Sequence, residues 1–225
     1  MAKYVMSDLH GQYQKFIKML EKIDFNEKDE LYIIGDIFDR GPQSLEIFDY
    51  VLGKPNIHLL RGNHEELLID ALESYSFQLW YFNGGQTSHN QLLEKDWQYN
   101  DSLVKYLKRR PLVKVVDNKF ILVHAELTLP SGYEEMTLDE LLSQQNADDN
   151  LWSREKVGIE CKFKDYVIIS GHTPVQSITG DPSTNQMVRI GNNIYIDCGC
   201  AYGEQGTLGC LRLDDLEEFY VWGEI

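Results

Sequence analysis

The sequence is poor in cysteine and lacks the cysteine spacing that would build a disulfide framework or a structural zinc site. The four cysteines are Cys161, Cys198, Cys200 and Cys210, and no two of them form a CxxC pair, the spacing typical of many zinc and redox sites. If residues 193–200 form a strand, Cys198 and Cys200 lie on one face of it. A zinc or redox pair there is then the alternative to buried free thiols, and burial is the favoured interpretation.

Basic residues and long apolar segments are also scarce. Lysine and arginine number 21 against 36 aspartate and glutamate residues, which gives a formal net charge of −15. A surface of this charge repels nucleic acid and anionic membrane, so we expect neither as a partner, and any bound phosphate needs a local cluster of positive charge. Without a long apolar segment, we predict neither a signal peptide nor a membrane span and expect a cytoplasmic protein.

The sequence does contain enough apolar residues for a full core. A hydrophobic content of 43% over 225 residues predicts one domain over residues 1–225, with a helical aromatic-rich insertion at about 75–110. That insertion is interpreted either as a lid or substrate wall or, as we favour, as an aromatic core packed beside the site. After residue 111 the hydrophobic period shortens to two, which predicts strands and a second, mostly antiparallel sheet.

Three polar turns in the first third of the chain carry the functional signal. They are residues 7–11 (SDLHG), 35–41 (GDIFDRG) and 61–65 (RGNHE), and each follows a short apolar run. Such runs, separated by helical stretches, predict parallel strands whose carboxyl ends meet at one edge of a sheet, where α/β proteins keep their ligand sites. The turns therefore indicate a metal-dependent hydrolase.

Oxygen and imidazole ligands for this metal site recur along the chain. A single histidine at a strand end is more often structural than a ligand, but that preference reverses when the histidines are considered together with the nearby aspartates and asparagine. They contain no thiolate, which favours manganese, iron, zinc or nickel over a structural zinc site. If Asp36 bridges two ions about 3.5–4 Å apart, a water shared by them becomes hydroxide near neutral pH. The predicted ligands are Asp8, His10, Asp36, Asn63, His124 and His172.

Positive and acidic groups for phosphate chemistry leave the same turns. Arg40 and Arg61 belong to the second and third turns, and a guanidinium matches two phosphoryl oxygens. His64 follows Asn63 directly, so we predict it as the general acid that protonates the leaving oxygen. Asp39 is predicted to accept the other ring proton of His64.

These motifs resemble the sequence blocks of the phosphoprotein phosphatase family of serine/threonine phosphatases, within the calcineurin-like metallophosphoesterase superfamily. Besides the three turns, His124 and residues 170–174 (SGHTP) resemble the two later metal histidines. The resemblance spans residues 8–174 in order and is strongest to compact bacterial and phage members. It implies an α/β fold in which two mixed β-sheets pack as a central sandwich flanked by helices.

The resemblance also implies how the site is divided. One ion would be held by Asp8, His10 and Asp36, and the other by Asp36, Asn63, His124 and His172. Phosphate would be bound by Arg40, Arg61 and a third arginine, Arg154. The implied substrate is a phosphoserine or phosphothreonine protein or peptide, and the implied cofactors are two divalent ions, with manganese favoured.

One residue departs from the family pattern, and two other functions compete. Family members usually have glycine at the position of Glu126. Its carboxylate could approach the metals, repel the substrate phosphate or point away from the site, and our hypothesis is that it alters the substrate preference.

Symmetrical dinucleoside tetraphosphate hydrolysis is the first alternative function. Asp39 and Glu65 disfavour it, because those hydrolases tend to have other residues at both positions. A non-catalytic phosphate-binding scaffold is the second.

Overall fold

The computed structural model describes residues 1–223, and the strands in this part of the chain are short. They are β1 (Lys3–Met6), β2 (Glu30–Ile33), β3 (Ile57–Leu59), β4 (Val113–Val116), β5 (Phe120–Val123), β6 (Val167–Ser170), β7 (Val188–Ile190), β8 (Asn193–Tyr195), β9 (Leu208–Arg212) and β10 (Glu218–Val221). Most are rich in β-branched and aromatic residues, which pack well on a pleated surface.

Nine α-helices connect the strands in residues 1–223, and the first six of them lie in the first half of the chain. They are α1 (Tyr13–Lys22), α2 (Ser44–Leu52), α3 (Asn63–Ser74), α4 (Gln78–Phe82), α5 (Gln86–Leu93), α6 (Trp97–Lys108), α7 (Leu138–Ser143), α8 (Ala147–Trp152) and α9 (Val175–Thr179). In α1 the buried residues are Phe16, Met19 and Leu20, spaced three and four apart as expected for one face of a helix. None of the helices in residues 1–223 has both the length and the apolar character that crossing a membrane requires.

The first sheet has the strand order β10-β9-β1-β2-β3. Strands β1, β2 and β3 are parallel, so their carboxyl ends lie at the same edge and bring the three polar turns together. Strand β9 pairs antiparallel with β1, and β10 antiparallel with β9. The prediction of three parallel strands that end in the three turns is confirmed.

The second sheet has the order β4-β5-β6-β8-β7. Its outer pairs β4·β5 and β7·β8 are antiparallel, whereas β5·β6 and β6·β8 are parallel. The expectation of a mostly antiparallel second sheet is therefore wrong. We also expected the strands at residues 208–213 and 219–222 to belong to this sheet, but they form β9 and β10 of the first sheet, because β9 pairs with β1 and β10 pairs with β9.

The two sheets pack face to face. Apolar side chains from both line the interface, among them Val5 and Ile34 from the first sheet and Leu122, Ile169 and Ile194 from the second. The opposite face of the first sheet packs on α1, α2, α3 and the helices of residues 78–108, and that of the second packs on the α7 region. The predicted class, two mixed sheets in a sandwich flanked by helices, is confirmed.

The cysteines are buried, whereas the aromatic segment is buried only in part. Trp80 is 1% exposed, and Phe77 and Tyr81 pack against the same core, but Phe82 and Trp97 are 89% and 73% exposed. The favoured interpretation, an aromatic core, therefore holds for Trp80 and its neighbours but not for the whole segment. All four cysteines are buried, as the favoured interpretation of buried thiols expects. The strand predicted to reach Cys200 ends at Tyr195.

Candidate metal centre

Backbone conformation sets the shape of the first two turns. Asp8, His10 and Asp36 have positive φ angles of 53°, 43° and 59°, a region that residues with a Cβ seldom adopt and that concentrates at functional sites. The turns are joined by backbone hydrogen bonds, from Asp8 N to Gly35 O (3.2 Å) and from His10 N to Asp36 O (2.9 Å). The backbone therefore holds the carboxylates and the imidazole of these turns beside one another.

Glu65 fastens the third turn to the second. Its Oε2 accepts hydrogen bonds from Asp36 N (2.8 Å) and Gly62 N (2.7 Å), and its Oε1 accepts one from Ile37 N (2.9 Å). A Cβ on Gly35 would lie 2.6 Å from the Cα of Gly62, so this close contact requires glycine. Burial, and next the nearby Asp36 carboxylate, raises the pKa of Glu65 to about 7.

Backbone carbonyls orient the three histidines predicted as ligands. The donated ring protons go from His10 Nδ1 to Phe38 O (2.8 Å), from His124 Nδ1 to Ile34 O (2.8 Å) and from His172 Nε2 to Trp152 O (3.2 Å). Each bond fixes a tautomer and leaves the other ring nitrogen available as a ligand, which is how metal-binding histidines are commonly held. The ring nitrogens that face the other predicted ligands or Arg40 are Nε2 of His10 and His124 and Nδ1 of His172.

The side chains form two groups that share one carboxylate. Ligand atoms of His10, Asp36 and His64 lie within 4.8 Å of one another, and so do those of Asp36, His124 and His172. Asp36 Oδ2 is 3.6 Å from His10 Nε2, and Asp36 Oδ1 is 3.4 Å from His124 Nε2. Oxygen and imidazole donors arranged around a common carboxylate fit two divalent transition-metal ions.

Asp8 and Asn63 complete the two groups. Asp8 Oδ1 lies 3.9 Å from His10 Nε2, on the side of the first group. Asn63 Oδ1 lies 2.9 Å from His124 Nε2 and 3.0 Å from His172 Nδ1. The structure thus brings all six predicted ligands together, although they span 164 residues of sequence.

Electrostatics separate the two histidines of the second group. Burial alone would lower the pKa of His124, but the Asp36 carboxylate outweighs it and raises this pKa to about 10. Burial, with the positive charge of His124 next, lowers the pKa of His172 to about 3. Asp36 sits among these imidazoles, and although burial opposes its ionisation, His124 and His64 hold its pKa well below the usual range.

His64 and Asp39 form a buried pair beside the first group. His64 Nδ1 donates to Asp39 Oδ2 at 2.7 Å, and the two residues are 1% and 0% exposed. Burial alone would lower the pKa of His64, but the carboxylates of Asp36 and Asp39 raise it above its ordinary value. By distance, His64 also belongs to the first ligand group, since its Nε2 lies 3.9 Å from Asp36 Oδ2.

Helices α4 and α5 contribute directly to this pair. Trp80 Nε1 donates to the same Asp39 Oδ2 at 2.8 Å, and Asp39 N donates to Ser88 Oγ at 2.8 Å. A Cβ on Gly85 would lie 2.3 Å from the Trp80 ring. Sequence reasoning missed Trp80 and Ser88 because their contacts with Asp39 cross 41 and 49 residues. The nearest signal was the aromatic cluster beside the Asn83-Gly84-Gly85 turn.

The three predicted phosphate-binding arginines occupy different positions. A cavity of about 70 Å³ is lined by Arg40 and Arg154 together with side chains of both ligand groups. Arg40 donates from Nη1 to His10 Nε2 (3.0 Å) and from Nη2 to His64 Nε2 (3.1 Å). Arg61 is not among the residues that line this cavity; its Nη1 lies 3.0 Å from Glu66 Oε2.

Glu126 points away from the ligand groups. Its Oε2 accepts a hydrogen bond from Ser153 Oγ (2.5 Å), and its Oε1 accepts one from Lys156 N (2.7 Å). It does not line the 70 Å³ cavity. Of the three expectations for this carboxylate, the structure therefore selects the one in which it faces away from the metals.

Comparison with known proteins identifies the family of this chain. The pattern of the family described as calcineurin-like phosphoesterase matches residues 1–205. Serine/threonine-protein phosphatase 2 of Salmonella typhimurium strain LT2 is 30% identical over 200 residues, which cover 87% of this chain and 86% of the relative. A symmetrical bis(5'-nucleosyl)-tetraphosphatase of Cronobacter sakazakii is 26% identical, with 97% and 93% covered.

A solved structure supports the fold. The crystal structure of a putative diadenosine tetraphosphatase superposes with a TM-score of 0.69 at 16% sequence identity, covering 99% of this chain and 94% of the other. At that identity the likeness concerns the fold alone. With the family pattern extending over residues 1–205 and the ligand groups in place, the chain belongs to the calcineurin-like phosphoesterase family, whose members are metal-dependent phosphoesterases.

Proposed function

We propose that this protein hydrolyses phosphate monoesters, with phosphoserine and phosphothreonine of proteins or peptides as substrates. The observation that carries the proposal is the buried His64–Asp39 pair, with its 2.7 Å hydrogen bond, beside two ligand groups that share Asp36. An acid at this place can protonate an alkoxide leaving group, which a phosphate monoester of serine requires and which contributes ~10² to 10⁴ in rate.

We assign the ligands in two sets around Asp36. Asp8, His10 and Asp36 would hold one divalent ion, and Asn63, His124 and His172, with Asp36, would hold the other. Manganese is the proposed metal, because oxygen and imidazole ligands without thiolate suit it. Bound ions would polarise the phosphoryl group and make a water nucleophilic near neutral pH.

The protein's own groups then orient the phosphate and move the proton. The guanidinium groups of Arg40 and Arg154 face the cavity and can each offer paired donors to phosphoryl oxygens. His10 Nε2 contacts the Arg40 guanidinium at 3.0 Å; were this nitrogen to hold a divalent ion instead, Arg40 would be available to the substrate phosphate. His64 donates its proton to the leaving oxygen, and the Asp39 carboxylate stabilises the charged imidazole before that transfer.

Dinucleoside tetraphosphate hydrolysis is the competing proposal. Full-length similarity to a symmetrical tetraphosphatase at 26% identity supports it, while the relative named a serine/threonine phosphatase is 30% identical. The presence of Asp39 favours the phosphatase, because an alkoxide is a poorer leaving group than a nucleotide phosphate and needs a better supported acid.

A direct substrate comparison tests the proposal. Purified protein supplied with Mn²⁺ is assayed for kcat/KM on a phosphoserine peptide and on diadenosine tetraphosphate, with free phosphate and nucleotide products measured separately. We expect the peptide to be preferred. A strong preference for the dinucleotide would overturn the proposal.

A matched variant excludes a contaminating phosphatase and the scaffold alternative. His64→Asn removes the proposed acid, whereas His89→Asn alters a histidine of the aromatic insertion that lies outside the ligand groups. We expect hydrolysis to fall in the first variant alone. Equal activity in wild type and both variants would identify a contaminant.

A further inference from the structure

The carboxylate of Glu126 ties together both sides of the turn that carries Arg154. Ser153 Oγ donates to one oxygen at 2.5 Å and Lys156 N donates to the other at 2.7 Å. Arg154 lies between these two attachment points. Glu126 is 8% exposed, so both bonds are shielded from solvent and are worth more than surface contacts.

The peptide of Glu126 is itself fixed to α8, which leads into the same turn. Ala125 N donates to Asn150 O (2.9 Å) and Glu126 N to Asp149 O (3.2 Å), while Asn150 Nδ2 donates to Glu126 O (2.8 Å). Asn150 is fully buried. Glu126 therefore holds the turn from a backbone segment that is itself hydrogen-bonded to α8 and that begins directly after the predicted ligand His124.

The turn presents Arg154 to the site. Arg154 lines the 70 Å³ cavity with Asp36, Arg40 and His64, and its Nη2 donates to His172 O at 3.3 Å. Within residues 1–223 this is the only hydrogen bond of the Arg154 side chain, so the position of the guanidinium depends mainly on the backbone of the turn. A phosphate clamp placed 1 Å away from its working position loses much of its value.

We propose that Glu126 is a positioning residue for Arg154: by holding Ser153 and Lys156, it presents the guanidinium to the substrate phosphate. This inference rests on the proposed function, which makes Arg154 a phosphate-binding residue. Glu126 itself touches neither the cavity nor, in this account, the substrate. Its effect on substrate preference would then act through the phosphate clamp.

The test measures binding of inorganic phosphate to the Mn²⁺-loaded protein by isothermal titration calorimetry. Glu126→Ala removes both tethers, and we expect phosphate to bind about tenfold more weakly, in line with the loss of hydrogen bonds to a charged group. Ser153→Ala removes one tether from the opposite side and should weaken binding in the same direction, by less. Glu126→Gln keeps one acceptor and gains a donor for the Ser153 hydroxyl, so it should stay within about threefold of wild type.

A double-mutant cycle separates positioning from a general structural effect. If Glu126 acts through Arg154, then Glu126→Ala should add little in an Arg154→Ala background, because the two changes remove the same contribution. The matched control is Glu155→Gln, which removes an exposed carboxylate from the same turn. This variant should leave the phosphate affinity unchanged. Manganese content should be the same in all variants.

Several results would overturn the inference. The first is an unchanged phosphate affinity in both Glu126→Ala and Ser153→Ala. The second is that Glu126→Ala weakens phosphate binding as much in the Arg154→Ala background as in wild type. The third is a loss of bound manganese in Glu126→Ala. Phosphate binding is measured without turnover. A wild type that binds phosphate but hydrolyses no phosphopeptide would therefore refute the proposed function and leave this inference standing.

Discussion

The half of the site built on the first sheet and the half built on the second are held by different means. Turns after β1, β2 and β3 are joined by backbone hydrogen bonds and by the Glu65 carboxylate. In the second sheet, His124 and His172 follow separate strands and meet at Asn63 Oδ1. The first half is a locally locked unit, whereas the second depends on the packing of the two sheets.

This difference explains what the sequence can predict. The three turns are recognisable because each motif is contiguous and parallel strands must place them at one edge, and His124 and His172 follow apolar runs or glycine turns. The left-handed conformations of Asp8 and Asp36 leave no pattern in the sequence. They follow from contacts made after folding.

Long-range side-chain contacts were the least predictable features. Trp80 on Asp39 and Glu126 on the Arg154 turn are contacts between residues more than 25 positions apart, and no periodicity encodes them. The assignment of the last two strands to a sheet was wrong for the same reason. Strands β9 and β10 belong to the first sheet, although they follow the strands of the second sheet in sequence. The predicted ligands can therefore be recognised from local sequence patterns, whereas the residues that hold them in position are determined by tertiary packing.

Among substitutions that change only the half of the site built on the first sheet, Asp39→Asn is expected to have the largest effect on turnover. Turnover should fall about 10²-fold, because the proton-donating imidazole loses its charged partner. Asp39 also raises the pKa of His64, so its removal lowers that pKa, and a general acid then loses its proton at lower pH. The pH profile of kcat should show its basic limb shifted to lower pH. An unmoved limb would remove His64 from the role of acid.

Glu65→Gln tests whether the first half is locked by this side chain. The amide group would face backbone N–H donors that the carboxylate now satisfies, which should cost about 1–3 kcal/mol of unfolding free energy. Urea unfolding monitored by tryptophan fluorescence measures it. Glu66→Gln is the neighbouring control, whose partly exposed contact with Arg61 should be worth about 0–1 kcal/mol. Equal losses in the two variants would contradict the locking role of Glu65.

Trp80→Phe tests a contact that comes from neither half of the site, the hydrogen bond from Trp80 in α4 to Asp39. The ring volume is largely kept, but Asp39 loses the 2.8 Å hydrogen bond from Nε1, and kcat should fall about tenfold, since hydrogen bonds to charged groups are worth roughly 1.5–3 kcal/mol. Trp97→Phe, at a tryptophan that is 73% exposed, should leave kcat unchanged. Steady-state kinetics of both variants measure these effects. An unchanged kcat in Trp80→Phe would contradict the role of Trp80 in supporting Asp39.

Arg61→Ala should have the smallest effect. Arg61 contacts Glu66 and does not line the cavity, so KM for a phosphopeptide should change less than about threefold, within the range of a surface ion pair. Arg40→Ala is the comparison, because Arg40 contacts both His10 and His64, and KM should rise much more. A rise in KM for Arg61→Ala as large as that for Arg40→Ala would restore Arg61 to the phosphate site.

The sharing of Asp36 between the two ligand groups is tested most directly by titrating metal-free protein with Mn²⁺ while activity is recorded. We predict that activity saturates at two equivalents per chain. Asp36→Asn should lower maximal activity about a thousandfold or more, because bound metal supplies several kcal/mol and ~1.4 kcal/mol is tenfold in rate. Full activity at one equivalent, or an Asp36→Asn variant that still binds two ions and turns over normally, would contradict the shared centre.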